Sequence, residues 1–76
     1  LIIQFATYTP GYSQLDFSFP IAFSNTCIAV CVTNRWHSMT YVSGYEVYNI
    51  TSTTFNYDSY RGSNDKIQFS MIAIGY

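Results

Sequence analysis

Charge is what this sequence has least of. Three basic and four acidic side chains make up 9% of its 76 residues, with a formal charge of −1. Without a cluster of Lys and Arg there is nothing to neutralise a row of phosphates, so no nucleic-acid surface is expected. Cysteine is almost as scarce, with Cys27 and Cys31 alone. On one strand they share a face about 13 Å apart, at roughly 3.3 Å per residue, whereas a disulfide needs Cα atoms within about 7 Å. The single histidine, His37, cannot complete a tetrahedral zinc site with two thiolates. Both cysteines therefore read as small buried hydrophobes. No apolar run reaches the roughly 20 residues that span a membrane, so no membrane insertion is expected. The opening Leu1-Ile2-Ile3 lacks the basic n-region of a signal peptide and starts mid-pattern, as if cut from a longer chain.

Aromatic and β-branched residues take the place of charge. Eight tyrosines and six phenylalanines, with Val, Ile and Thr, form the strand-favouring set, and no stretch carries a 3.6-residue period. The expected fold is all-β: one compact, antiparallel, sandwich-like domain over 1–76 with about six short strands. Leu1 to Thr9 reads as the first, with Ile3 and Phe5 on one face and Ile2, Gln4 and Ala6 on the other. Pro10-Gly11 closes it. Gln14 to Phe19 alternates, turning Leu15, Phe17 and Phe19 to a core and Gln14, Asp16 and Ser18 to water. Pro20 ends that strand or places it at an edge or bulge, and Ile21-Ala22-Phe23 turns inward again. Thr26 to Thr33 is the next strand, with Ile28, Val30 and Val32 on one face and Cys27, Ala29 and Cys31 behind. Glu46–Ile50 and Thr53–Tyr57 form a hairpin about Thr51-Ser52, and Asn49-Ile50-Thr51, a match to a glycosylation acceptor, reads as strand.

The last stretch, Lys66 to Tyr76, turns Ile67, Phe69, Met71 and Ala73 one way and Gln68, Ser70, Ile72 and Ile74 the other. It becomes apolar on both faces and should be covered on both. A chain this short buries barely enough to offset an ordering cost of about 1.5 kcal/mol per residue. With disulfide and metal excluded, oligomerisation is the expected source of stability.

Three stretches, Leu1-Ile2-Ile3-Gln4, Phe19-Pro20-Ile21-Ala22-Phe23 with Asn25 and Cys27, and Ile72-Ala73-Ile74-Gly75-Tyr76, together resemble the C-terminal domain of tail fibre proteins of tailed bacteriophages and prophages, including Mu-like ones. The resemblance spans nearly the whole chain. It departs at Phe5-Ala6, where the family often has Trp-Gly, and at Met71, where it often has Trp; all three read as core-type substitutions. The resemblance implies an intertwined homotrimer at a fibre tip of the virion. It would bind a bacterial surface receptor, commonly lipopolysaccharide or another glycan. It would assemble in the host cytoplasm, often with a fibre-assembly chaperone. Reduced cysteines suit that compartment.

No enzyme is expected. Asp16, Glu46, Asp58 and Asp65 form no evident pair, and no nucleophile has a recognisable histidine context. No cofactor is expected either, and no metal, although His37 on a three-fold axis would be the ligand to consider. The candidate receptor-binding residues are Arg35, Trp36, His37, Tyr41 and Tyr45 in one connection, and Tyr60, Arg61 and Asn64 in another. Trp36 offers a platform for sugar C–H faces, and Arg35 or His37 can contact hydroxyl or phosphate. Against this stands Trp36 as an interface plug, with Arg61 paired to a nearby acid. Tyr-, Ser-, Gly- and Asn-rich loops are the composition of adaptable recognition surfaces.

Overall fold

The structure, a computed structural model, describes residues 1–11, 14–35, 44–60 and 68–76, with backbone only at 44, 45, 59 and 60. Six strands run in chain order: β1 (Ile2–Tyr8), β2 (Asp16–Ser18), β3 (Cys27–Asn34), β4 (Gly44–Tyr48), β5 (Thr54–Tyr60) and β6 (Phe69–Gly75). They form two antiparallel three-stranded sheets, ordered β1-β6-β3 and β2-β5-β4. Among the described residues there is no helix. The all-β, six-strand, two-layer reading stands.

The layers meet on an aromatic core. Phe17, Phe19 and Phe23 join Phe55 and Tyr57 from β5 and Phe69, Met71 and Ala73 from β6, all buried. The rings make edge and stacked contacts: Phe17 lies 5.0 Å from Phe69, Phe19 5.2 Å from Phe55, and Tyr57 4.4 Å from Phe69. Such pairs add about 0.5–1.5 kcal/mol each beyond the area they bury. The alternation around Phe17 predicts Phe17 and Phe19 correctly, whereas Leu15 is half-buried and not part of this core. Phe23 turns inward as expected, whereas Ile21 and Ala22 are exposed.

The inward face of β1 is its less apolar one. Ile2, Gln4, Ala6 and Tyr8 face the core, opposite Gly75, Ala73, Met71 and Phe69. Ile3 and Phe5 stay outside, 52% and 69% exposed. Phe5 is therefore not a core position within this chain, while Ala6 and Met71 are core neighbours. Gln4 is 4% exposed, and its amide closes a two-point clasp on the backbone of Ile21. Gln4 Nε2 donates to Ile21 O at 2.6 Å, and Ile21 N–H donates to Gln4 Oε1 at 2.9 Å. The segment after Pro20 forms no strand, so its polar backbone needs partners of this kind. Phe19 N–H donates to Thr53 O at 3.0 Å and Phe23 N–H to Ser52 O at 2.8 Å, completing its attachment.

Gly75 is where β6 meets that segment. A Cβ there would overlap the Thr26 carbonyl oxygen and come within 2.7 Å of Phe23 Cδ1, so only glycine allows the approach. The ladder continues past β6, with Tyr76 N–H donating to Thr26 O and Tyr76 O accepting from Asn25 and Thr26.

A bulge between Cys27 and Ala29 resets β3. Cys27 lies opposite Gly75 on the core side, Ile28 is extruded and 60% exposed, and Val30 and Val32 return to the core. This corrects the sequence reading in two respects. Ile28 is not a core residue, and the two cysteines do not share a face: Cys31 lies opposite Ile72 on the outer side. Both are free thiols, Cys31 exposed and Cys27 half-buried, so Cys31 is not the small core hydrophobe expected. The β4–β5 hairpin forms with a longer turn. Asn49 leaves the strand at φ 49°, which Asn tolerates better than most residues. Thr51 Oγ1 accepts from Thr53 and Thr54 N–H at 3.2 and 2.9 Å.

Replacing Gln4 by Leu should cost about 2–3 kcal/mol, because both Ile21 backbone groups lose a partner. Gly75→Ala should cost about 3 kcal/mol through overpacking against backbone. Urea denaturation checks both; a loss below about 0.5 kcal/mol, the scale of an ordinary surface change, in either would remove the clasp or the close approach from the account.

Candidate functional site

Three of the four chain crossings between the sheets leave from one end of the sandwich. Tyr8 and Asn34 both lie opposite Phe69, and Gly44 lies opposite Tyr60. The strand ends that border 9–15, 35–43 and 61–68 are thus brought to one end, while 19–26, the 49–53 turn, Leu1 and Tyr76 belong to the other.

The anchors are tied by a polar rim. Arg35 N–H donates to Gln68 O at 2.8 Å, and Gln68 Nε2 donates to Thr9 Oγ1 at 3.0 Å, so one residue from each segment is linked. Just beneath, Tyr57 O–H donates to Asn34 Oδ1, joining the two sheets. Tyr8 O–H donates to Ser18 O at 2.6 Å, and burial raises the Tyr8 phenol above its ordinary pKa of 10.0.

Of the eight candidate residues, Arg35 is exposed immediately after β3. Tyr45 lies in β4 opposite Ser59, and Tyr60 ends β5 opposite Gly44. The strand order thus brings these three backbone positions to one end. Trp36, His37, Tyr41, Arg61 and Asn64 lie outside the described residues. Among the described residues no group of three or more His, Cys, Asp or Glu side chains could hold a metal ion. Three residues of this end escape sequence reasoning: Thr9, Asn34 and Gln68. Each looks like an ordinary turn or strand-end polar residue, and only the pairing of the two sheets makes them neighbours.

Three of the four acids fall on the β2-β5-β4 sheet, and Asp65 lies outside the described residues. Asp16, Glu46 and Asp58 belong to β2, β4 and β5, and Asp16 accepts a hydrogen bond from Asn56 Nδ2 at 2.9 Å. No residue of β1, β6 or β3 is charged. Burial also raises the Cys27 thiol pKa, opposed in part by a backbone hydrogen bond with Ala29.

A family model described as Putative tail fiber protein gp53-like, C-terminal, matches residues 1–76, the whole chain. The chain belongs to this family. It is a tail fibre C-terminal domain, and its place is in a phage virion. Searches of curated proteins and of solved structures each give no match. The three motifs of the resemblance now have a physical basis in this tail fibre domain. Gln4 of the first clasps Ile21 of the second, while Gly75 and Tyr76 of the third seat against Phe23, Asn25 and Thr26.

The raised Tyr8 pKa predicts an alkaline limb in stability. The folded state keeps this phenol neutral, so its contribution is complete below pH 10.0, the ordinary tyrosine value. It declines as pH rises from there through the higher folded-state value. Tyr8→Phe should flatten that decline in thermal melts between neutral pH and pH 11; an unchanged slope would contradict the assignment.

Proposed function

We propose that this tail fibre domain is the fibre's receptor-binding tip, a homotrimer that attaches the virion to lipopolysaccharide or another glycan of the bacterial surface. The reading includes assembly in the host cytoplasm, assisted by a fibre chaperone, and no catalytic step. The observation that supports it best is the convergence, at one end of a domain of this family, of the strand ends that border both candidate segments.

Chemistry at that end suits a glycan. Arg35 is exposed, Trp36, His37 and Tyr41 follow it in sequence, and Arg61 and Asn64 follow Tyr60. Aromatic faces match sugar C–H faces, and guanidinium, imidazole and amide groups match hydroxyls and phosphates. Individually weak contacts, repeated three times per tip and on several fibres, add through effective concentration.

A second reading, in which the domain caps and folds the fibre while binding lies elsewhere, draws on the uncharged β1-β6-β3 sheet. Fibres carrying Trp36→Ala or Tyr60→Ala should adsorb to host cells at least about tenfold more weakly, a loss of about 1.4 kcal/mol, with unchanged assembly mass. Adsorption by both variants at the parental level would leave the capping reading in its place.

A further inference from the structure

We propose that the outer face of the β1-β6-β3 sheet is where this chain packs against further copies of itself. The inference deepens the homotrimer part of the reading above and rests on it for partner identity, but not on what the loop end binds.

The register lays out this face in rungs. Ile3, Ile74 and Ala29 form one, and Phe5, Ile72 and Cys31 the next. Then come Thr7, Ser70 and Thr33, with Thr7 Oγ1 and Ser70 Oγ 3.2 Å apart. Two apolar rungs thus end in a hydroxyl rung on the side of the loops. Ile72 on the central strand is 44% exposed and Phe5 69%. Between them runs a shallow groove of about 460 Å³. A central strand exposing isoleucine beside an exposed phenylalanine is the pattern of an interface.

The polarity and area of the face select the occupant. A membrane surface would call for basic residues around the apolar patch, and none of the three strands supplies one. Along the three strands a charged partner would find no complement, and the charge bordering them, Arg35, follows β3 at the loop end. Another copy of the same face offers apolar rungs to apolar rungs, and the acids among the described residues, Asp16, Glu46 and Asp58, lie on the opposite sheet. The exposed fractions of Ile3, Phe5, Ile72 and Tyr76, with Ile28 at the bulge, amount to about 500 Å² per chain. Burying that area on two chains reaches the roughly 1,000 Å² at which specific interfaces begin. The edge strands β1 and β3 carry neither charge nor proline, the usual protection of a free sheet edge.

Cys31, on β3 in the second apolar rung of this face, is a built-in probe. The experiment combines light-scattering mass of the 76-residue chain with the rate at which a neutral maleimide modifies Cys31. The expected mass is several chains, with Cys31 reacting at least about 100-fold more slowly than in denaturant. Phe5→Thr with Ile72→Thr keeps strand-forming residues at positions exposed in the single chain. It should yield a folded monomer, judged by circular dichroism, with reactive Cys31. Glu46→Gln on the other sheet should change neither mass nor rate. A parental monomer, or a multimer with freely reactive Cys31, would overturn the proposal even if the double variant failed to fold. Adsorption defects in Trp36→Ala are read separately, so the receptor reading and this one can fail independently.

Discussion

The constraint on which the fold depends is the seating of one segment that is not a strand. Residues 19–26 carry the chain from the β2-β5-β4 sheet back to the β1-β6-β3 sheet at the end opposite the loops. Pro20 supplies no donor there, and the segment belongs to no strand of either sheet, so its backbone needs other partners. The Gln4 amide does so from β1, Ser52 and Thr53 do so from the hairpin turn, and Tyr76 does so at the end of the β6 ladder. A buried glutamine satisfied on both sides costs little. The same glutamine left with one bond would be a liability of about 1–3 kcal/mol. The two bonds stand or fall together.

That seating propagates into the sheets. It brings Phe23 and the Thr26 carbonyl against β6 so closely that position 75 has no room for a side chain. It also fixes which face of β1 is inside, because Gln4 must reach Ile21. Once Gln4 is inside, Ile3 and Phe5 are outside, next to Ile72. The apolar outer face is thus a consequence of satisfying a polar group within.

These relations explain what could and could not be read in advance. Strict alternation made Phe17 and Phe19 legible as core, and turn residues about Thr51-Ser52 gave the hairpin. The apolar second face of β6 was legible as needing a cover. Side-chain polarity alone misplaces β1, because hydrophobicity favours Ile3 and Phe5 as the inner pair, and a long-range hydrogen bond outweighs it. From Cys27 to Val32 every residue is apolar, so nothing marks the bulge that extrudes Ile28 and separates the cysteines. Of the candidate site, residue types such as Arg35 and Tyr60 were legible. Their convergence on one end was not, since it depends on the direction in which each strand crosses. With that direction known, the tail fibre domain divides into a polar loop end and a seated end, with an uncharged sheet face and an acid-bearing sheet along its sides.

Amide hydrogen exchange at Ile21 tests the central claim most directly. Its N–H lies outside every strand, on an exposed residue, yet it is bonded to a buried side chain. The account predicts exchange as slow as in β6, through global unfolding only. Exchange at the rate of an open loop would mean that the segment is not held by Gln4, and that the inner and outer faces of β1 need another explanation.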